Sequence, residues 1–300
     1  NAVTSQAGDE DHDIALTTTL GDLLIGSLTA TPAGDVTLTS AAKIQGNGES
    51  EMSIMADHLA ATAHGPITVK TTVNSTTLAT TAAGEIQLSE TNAITLESVT
   101  TLSGKITITT GGSMIATSVI SQSGADDHDI QLTTGDTLQI GSLTAAPAGD
   151  VILTSSNNIQ KDSVPETVIT ADHLAATAQR SIVLETAVNS TTIESTVLGE
   201  IKLWEADHIR LTDLRTNAGS IWVTAGNTLT AVSVHSMTDL DTYDIQLTTQ
   251  PIGDLAVVSI NAGSTGDVML AAAGAITEDG NETTVITADE LIATAKDGIT

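Results

Sequence analysis

Three hundred residues with 40% apolar content carry 37 acidic and 9 basic side chains, for a formal charge of −28 at neutral pH. That balance repels nucleic acid and anionic lipid surfaces and excludes polyanion binding, while the lack of cysteine excludes disulfides, zinc–thiolate sites and thiol nucleophiles. With no phenylalanine, two tryptophans and one tyrosine, a core has to be built from Ile, Val, Leu and Ala.

The first acidic turn, "SQAGDEDHDIALTT" from Ser5, leads into an alternating strand that opens at Ile14. A second strand opens at Val36 in "GDVTL", and a longer polar stretch then places a protruding loop around Gly46–Glu51. The phrase "ADHLAATA" follows at 56–63, with Asp57 and His58 expected at a corner and Leu59, Ala61 and Ala63 facing inward. Strands next open at Ile67, Ile86 and Ile106, in "GPITV", "GEIQL" and "GKITI".

From Ser121 the order begins again with "SQSGADDHDIQLTT". Strands open at Ile130, Val151, Ile182, Ile201 and Ile221, a loop is expected around Lys161–Glu166, and "ADHLAATA" returns unaltered at 171–178. A third copy has strands at Ile245 and Val268, a loop around Glu278–Thr283 and "ADELIATA" at 288–295, and it is interrupted at Ile299. Asp57, Asp172 and Asp289 lie 115 and 117 residues apart, so blocks run from about 5 to 120, 121 to 235 and 236 to 300.

Strand openings in the first block are spaced 22, 31, 19, 20 and 24 residues apart, and in the second 21, 31, 19, 20 and 24. Apolar residues recur at every second position between Gly, Asp and Asn turns, which is the strand period and not the helical one. A strand-and-turn repeat of about twenty residues reads as a solenoid in which each unit makes one coil. The expected fold is therefore all-β, a parallel β-helix (β-solenoid) of about 13 coils, five to a block, stacked roughly 4.8 Å apart. Outer positions, as in "ITVKTT" and "VILTSS", place Thr toward water. The chain is expected to be a single solenoid segment, 1–300, without capping domains and cut from a longer protein or filament. No apolar run approaches the roughly 18 residues of a membrane helix, so the segment is expected to be soluble, with any export signal lying outside it.

The stretch "GAITEDGNETTVITADELIATAKDGIT" combines a turn, an Ile-Thr pair, a Gly/Asn-rich loop, "ITA" and a second alternating strand. It resembles the filamentous haemagglutinin repeats of large exported bacterial adhesins, and the resemblance covers nearly the whole chain. It implies a right-handed β-helix displayed outside the cell. The 115-residue block is copied more faithfully than is usual for that family.

Several residues are candidates for chemistry. Asp9, Asp11 and Asp13, then Asp126, Asp127 and Asp129, then Asp239, Asp241 and Asp244 crowd three turns with oxygen donors suited to calcium. An acidic, solvated turn is the alternative, because neither an EF-hand loop nor a GGxGxD nonapeptide is present. His12, His58, His128 and His173 recur with the block. Five coils separate each copy from the next by about 24 Å, so copies cannot converge on one substrate, and duplication of a corner explains them better than catalysis. Trp204 and Trp222 follow inward residues on adjacent coils and are expected to face outward, either as a surface contact for a sugar or a neighbouring filament or as sequence drift confined to one block. The Asn of "NST" at 74–76 and 189–191 is expected to stack on its copies in other coils.

The functional expectation is the non-catalytic repeat stalk of an extracellular bacterial adhesin or surface fibre, a stiff acidic rod that displays loops. Its partners would be further repeats or copies of the same chain, or glycans and surfaces of other cells, with no cofactor beyond possible calcium. A self-assembling head-to-tail filament is the alternative. A glycan-cleaving β-helix enzyme is more remote, since the nine basic residues are scattered instead of gathered in one cleft.

Overall fold

A computed structural model describes residues 2–6, 12–31, 33–48, 52–123, 128–145, 147–162, 168–278, 280 and 284–300. Every regular element among them is a strand. Strands of successive coils pair in parallel, giving a β-solenoid of about 13 turns. The chain divides into two compact units, Asn1–Ile152 and Leu153–Thr300, so the division falls within the second sequence block.

In unit 1 the alternation of each strand fixes which side chains turn inward. Ile86, Leu88 and Glu90 of strand Ile86–Glu90 are buried while Gln87 and Ser89 are exposed, as the two-residue period requires. Inward residues stack in register along the coils, and one ladder runs Leu23, Ile44, Ile67, Ile86, Ile106, Ile130. Each aliphatic side chain fully buried in such a ladder contributes about 1.5–3 kcal/mol. Because every rung repeats the last, aliphatic residues fill the interior without aromatic rings.

A second ladder runs Ile14, Val36, Leu59, Thr76. This changes the meaning of the 31-residue spacing. Val36 does not stack on Ile67; it stacks on Leu59, 23 residues on, while Ile67 stacks on Ile44. The additional residues are largely the strand Ser53–Ala63, which completes a coil and carries the chain onto the next face, so the unit is more than one coil with a long loop. Residues 49–51, part of the expected loop, lie outside the described residues, as do 163–166, 279 and 281–283 of its counterparts.

Ile14 and Ile130 open corresponding blocks, yet they stand on different ladders. Leu23, one face further along the coil that Ile14 begins, starts the ladder that reaches Ile130 five coils later. A block thus advances the chain by five coils and one face.

Unit 2 repeats the design. One ladder runs Ile159, Ile182, Ile201, Ile221, Ile245, Val268, Leu291. A second passes through Leu174, Thr191, Leu211, Ala231 and Val257. Val268 stacks on Leu291, 23 residues on, as Val36 does on Leu59.

Not every Thr and Ser faces water. A residue at or near the end of many strands turns inward at a corner and bonds the turn of the preceding coil: Thr101 Oγ1 donates to Gly84 O (2.8 Å), Ser121 Oγ to Gly104 O (3.1 Å), Thr216 Oγ1 to Gly199 O (2.7 Å) and Ser236 Oγ to Gly219 O (3.0 Å). A buried turn carbonyl needs a donor, and a short β-branched or hydroxymethyl side chain supplies one without filling the corner. Glycine meets the other demand of these turns. Gly104 has φ of +149°, and a Cβ placed on it would lie 2.5 Å from Gly84 O.

Candidate functional site

The acidic turns are joined from coil to coil. Asp13 Oδ1 accepts the N–H of Asp35 (2.9 Å), and Asp35 Oδ1 in turn accepts that of His58 (3.1 Å). Asp129 Oδ1 accepts from Asp150 N (3.1 Å), Asp244 Oδ1 from Asp267 N (3.1 Å), and Asp267 Oδ1 from Glu290 N (3.1 Å). Each carboxylate staples its turn to the next. Exposed Asp239 is engaged by Ser264 Oγ (2.6 Å), Thr265 N (2.8 Å) and Thr265 Oγ1 (2.9 Å). The bond from Ser264, followed by those from Thr265, holds its carboxyl below the usual range. Asp241 lies on the exposed turn beside it. Asp9, Asp11, Asp126 and Asp127 lie outside the described residues. Among the described residues no three His, Asp or Glu side chains gather as an ion cage.

The repeated phrase "ADHLAATA" has a local purpose. His58 Nδ1 bonds Ser75 Oγ (2.7 Å), Asn74 Nδ2 donates to Asp57 Oδ1 (2.7 Å), and buried Thr76 donates to Leu59 O (2.9 Å). The second copy repeats all three contacts: His173 with Ser190 (2.8 Å), Asn189 to Asp172 (2.7 Å) and Thr191 to Leu174 O (2.9 Å). The Asn of each "NST" therefore stacks on the Asp of the preceding coil and not on its own copy. A Ser–His contact resembles half of a nucleophile–base pair, but the neighbouring carboxylate binds Asn74 instead of orienting the imidazole. These residues clasp the coil at which the chain changes face.

Two buried carboxylates were missed by reading motifs alone. Glu90, 3% exposed, accepts from Thr71 Oγ1 (2.7 Å), Val73 N (3.0 Å), Thr91 N (2.7 Å) and Asn92 N (2.9 Å). Glu205, 4% exposed, accepts from Thr186 Oγ1 (2.8 Å), Val188 N (3.1 Å) and Asp207 N (3.2 Å). Burial raises the Glu205 carboxyl from 4.5 to about 7, and the bonds from Thr186, Val188 and Asp207 only partly oppose it. The signal was present in "IQLSE" and "IKLWE", where Glu occupies the third inward position held elsewhere by Ser, Thr or Ala.

Trp204 and Trp222 both face outward on one sheet of unit 2. Trp204 is 41% exposed, and Trp222 is half-buried. Lys202 pairs in register with Trp222 and Trp204 with Thr224, so the rings stand diagonally on adjacent strands, about 8 Å apart at the backbone. Lys202 Nζ lies 4.3 Å from the Trp222 ring centroid and Lys161 Nζ 5.5 Å from that of Trp204, within cation–π range. Lys202 also pairs with Glu200 (2.9 Å), and Lys161 with Glu185. Lys202 comes from the strand next to that of Trp222, and Lys161 reaches Trp204 from beyond the intervening strand of Glu185, a placement that sequence spacing did not reveal. An open groove of about 180 Å³ between the rings is bordered by Lys202, Thr224 and Gln246.

No protein-family model, curated protein or solved structure matches the chain. The surface is therefore interpreted from its own chemistry.

Proposed function

We propose that the chain is the structural repeat stalk of an extracellular bacterial adhesin or surface fibre, with a mechanical and not a catalytic role. The observation that supports this most is the unbroken register of the inward ladders within each unit, where every coil is a template for the next. Backbone bonds, carboxylate staples and hydroxyl-to-turn bonds all run from coil to coil. A stack held this way resists bending, and its acidic surface keeps neighbouring copies apart.

A second reading is a filament subunit that joins its own copies. The parallel register that joins successive coils would equally join the coils of two chains head to tail. Electron microscopy of the native full-length material separates the two. Rods of one chain's contour, about 4.8 Å per coil, support the stalk, whereas rods many times longer support the filament. Globular particles would refute both. Labelling of intact cells with an antibody against the chain tests the extracellular placement.

A further inference from the structure

We infer that the Trp204–Trp222 groove of unit 2 is a binding site for a neutral, ribbon-like oligosaccharide, one whose pyranose rings present flat C–H faces. The inference does not depend on the stalk reading. The chain contains only two tryptophans, and both stand on the outer side of one sheet, on adjacent strands. An indole face packs well against the apolar face of a pyranose, and the sugar's hydroxyls then need polar partners around the ring edge. Those partners are in place: Lys202, Thr224 and Gln246 border the groove between the rings, and Glu185 borders the other side of Trp204.

Charge selects the class of sugar. Lys161 is matched by Glu185 and Lys202 by Glu200, so the groove is locally neutral on a chain of charge −28. A uronate or sialylated chain would meet that wider field as repulsion, whereas a neutral chain would not. The shape of the sheet favours a flat glycan over a helical one, because about 8 Å of backbone between the rings suits two sugars lying along one ribbon.

Unit 1 contains an internal comparison. The coil positions equivalent to Trp204 and Trp222 are Ser89 and Thr107, so no aromatic ring stands on the matching face of unit 1, and the groove beside Ser89 is bordered by Met52, Lys70 and Gln87. Trp204→Ser and Trp222→Thr thus install residues that the equivalent coils of unit 1 already carry.

The test is titration of the full chain with chitohexaose, cellohexaose, maltohexaose and hexagalacturonate. Indole N–H shifts in NMR and tryptophan fluorescence, excited at the red edge where Tyr243 does not absorb, are followed, so that both report only these two residues. The expected result is that both indoles respond to chitohexaose or cellohexaose with a Kd of about 0.1–1 mM. Maltohexaose and hexagalacturonate should bind at least about tenfold more weakly, and the double variant, with an unchanged far-UV circular dichroism spectrum, should lose binding by at least about tenfold. The inference is overturned if neither indole responds to a neutral sugar at about 10 mM, if hexagalacturonate or maltohexaose binds as well, or if the folded double variant binds like the parent. Wild-type indole shifts alone decide the matter should the variant not fold.

Discussion

Replacing Glu205 by Gln should remove a specific pH dependence from the stability of unit 2. The unfolded carboxyl releases its proton near 4.5 and the folded one near 7, so the folded state holds the proton through the interval in which the unfolded state has lost it. Stability from this group is fullest below about 4.5, declines as the pH rises to about 7 and is level above that. The decline amounts to on the order of 2–3.5 kcal/mol at 1.36 kcal/mol per pH unit, the lower end allowing for the residual solvent access of the corner. Solenoids need not unfold in one step, so the better assay is local: hydrogen exchange of the Val188 and Asp207 amides, which donate to this carboxylate, in parent and Glu205→Gln between pH 4.5 and 8. The difference in opening free energy between the two proteins should shift by that amount in favour of Gln as the pH rises. A Glu205 carboxyl signal that titrates near 4.5 by NMR, together with a difference that is flat in pH, would refute the reasoning.

Other substitutions test the corners. Gly104→Ala should destabilise unit 1 by at least about 1–3 kcal/mol, measured by urea denaturation, because the methyl would meet Gly84 O at 2.5 Å and the residue has φ of +149°. Thr101 Oγ1 both accepts from Thr80 Oγ1 and donates to Gly84 O, so Thr101→Val should cost about 1–3 kcal/mol. Ser195, a buried hydroxyl with no hydrogen-bond partner among the described residues, gives the opposite expectation: Ser195→Ala should be neutral or stabilising in thermal melts, and a loss like that at Thr101 would show the hydroxyl to be bonded. Asp244→Asn keeps the acceptor that receives Asp267 N and should exchange that amide at the parental rate, while Asp244→Ala should expose it about fivefold or more, as loss of about 1 kcal/mol implies.

The strands were legible because burial imposes alternation: Ile86 and Leu88 inside, Gln87 and Ser89 outside, follows from the pleat once a turn is marked by "GE". The outward placement of Trp204 and Trp222 followed from the same rule. The path of the 31-residue unit was not legible, since spacing cannot distinguish residues that loop out from residues that form another strand. "SIMADHLAATA" alternates only imperfectly, with Asp57 and His58 together at its bend. Thr was misassigned at the corners because a small β-branched side chain suits water and a buried turn carbonyl equally well. Glu205 was missed because charge is ordinarily a mark of the surface, and only its three donors make the interior tolerable.

The one-face advance of each block has a geometric outcome for anything the block displays. Had the advance been a whole number of coils, every duplicated feature would line up along a single side, and a partner approaching from elsewhere would meet none of them. In unit 1 the strand that opens at Ile130 instead stands on the face next to that of its original at Ile14. Copying one stretch of sequence therefore works like a screw thread, carrying the same surface around the axis and giving angular coverage without any new residue being invented.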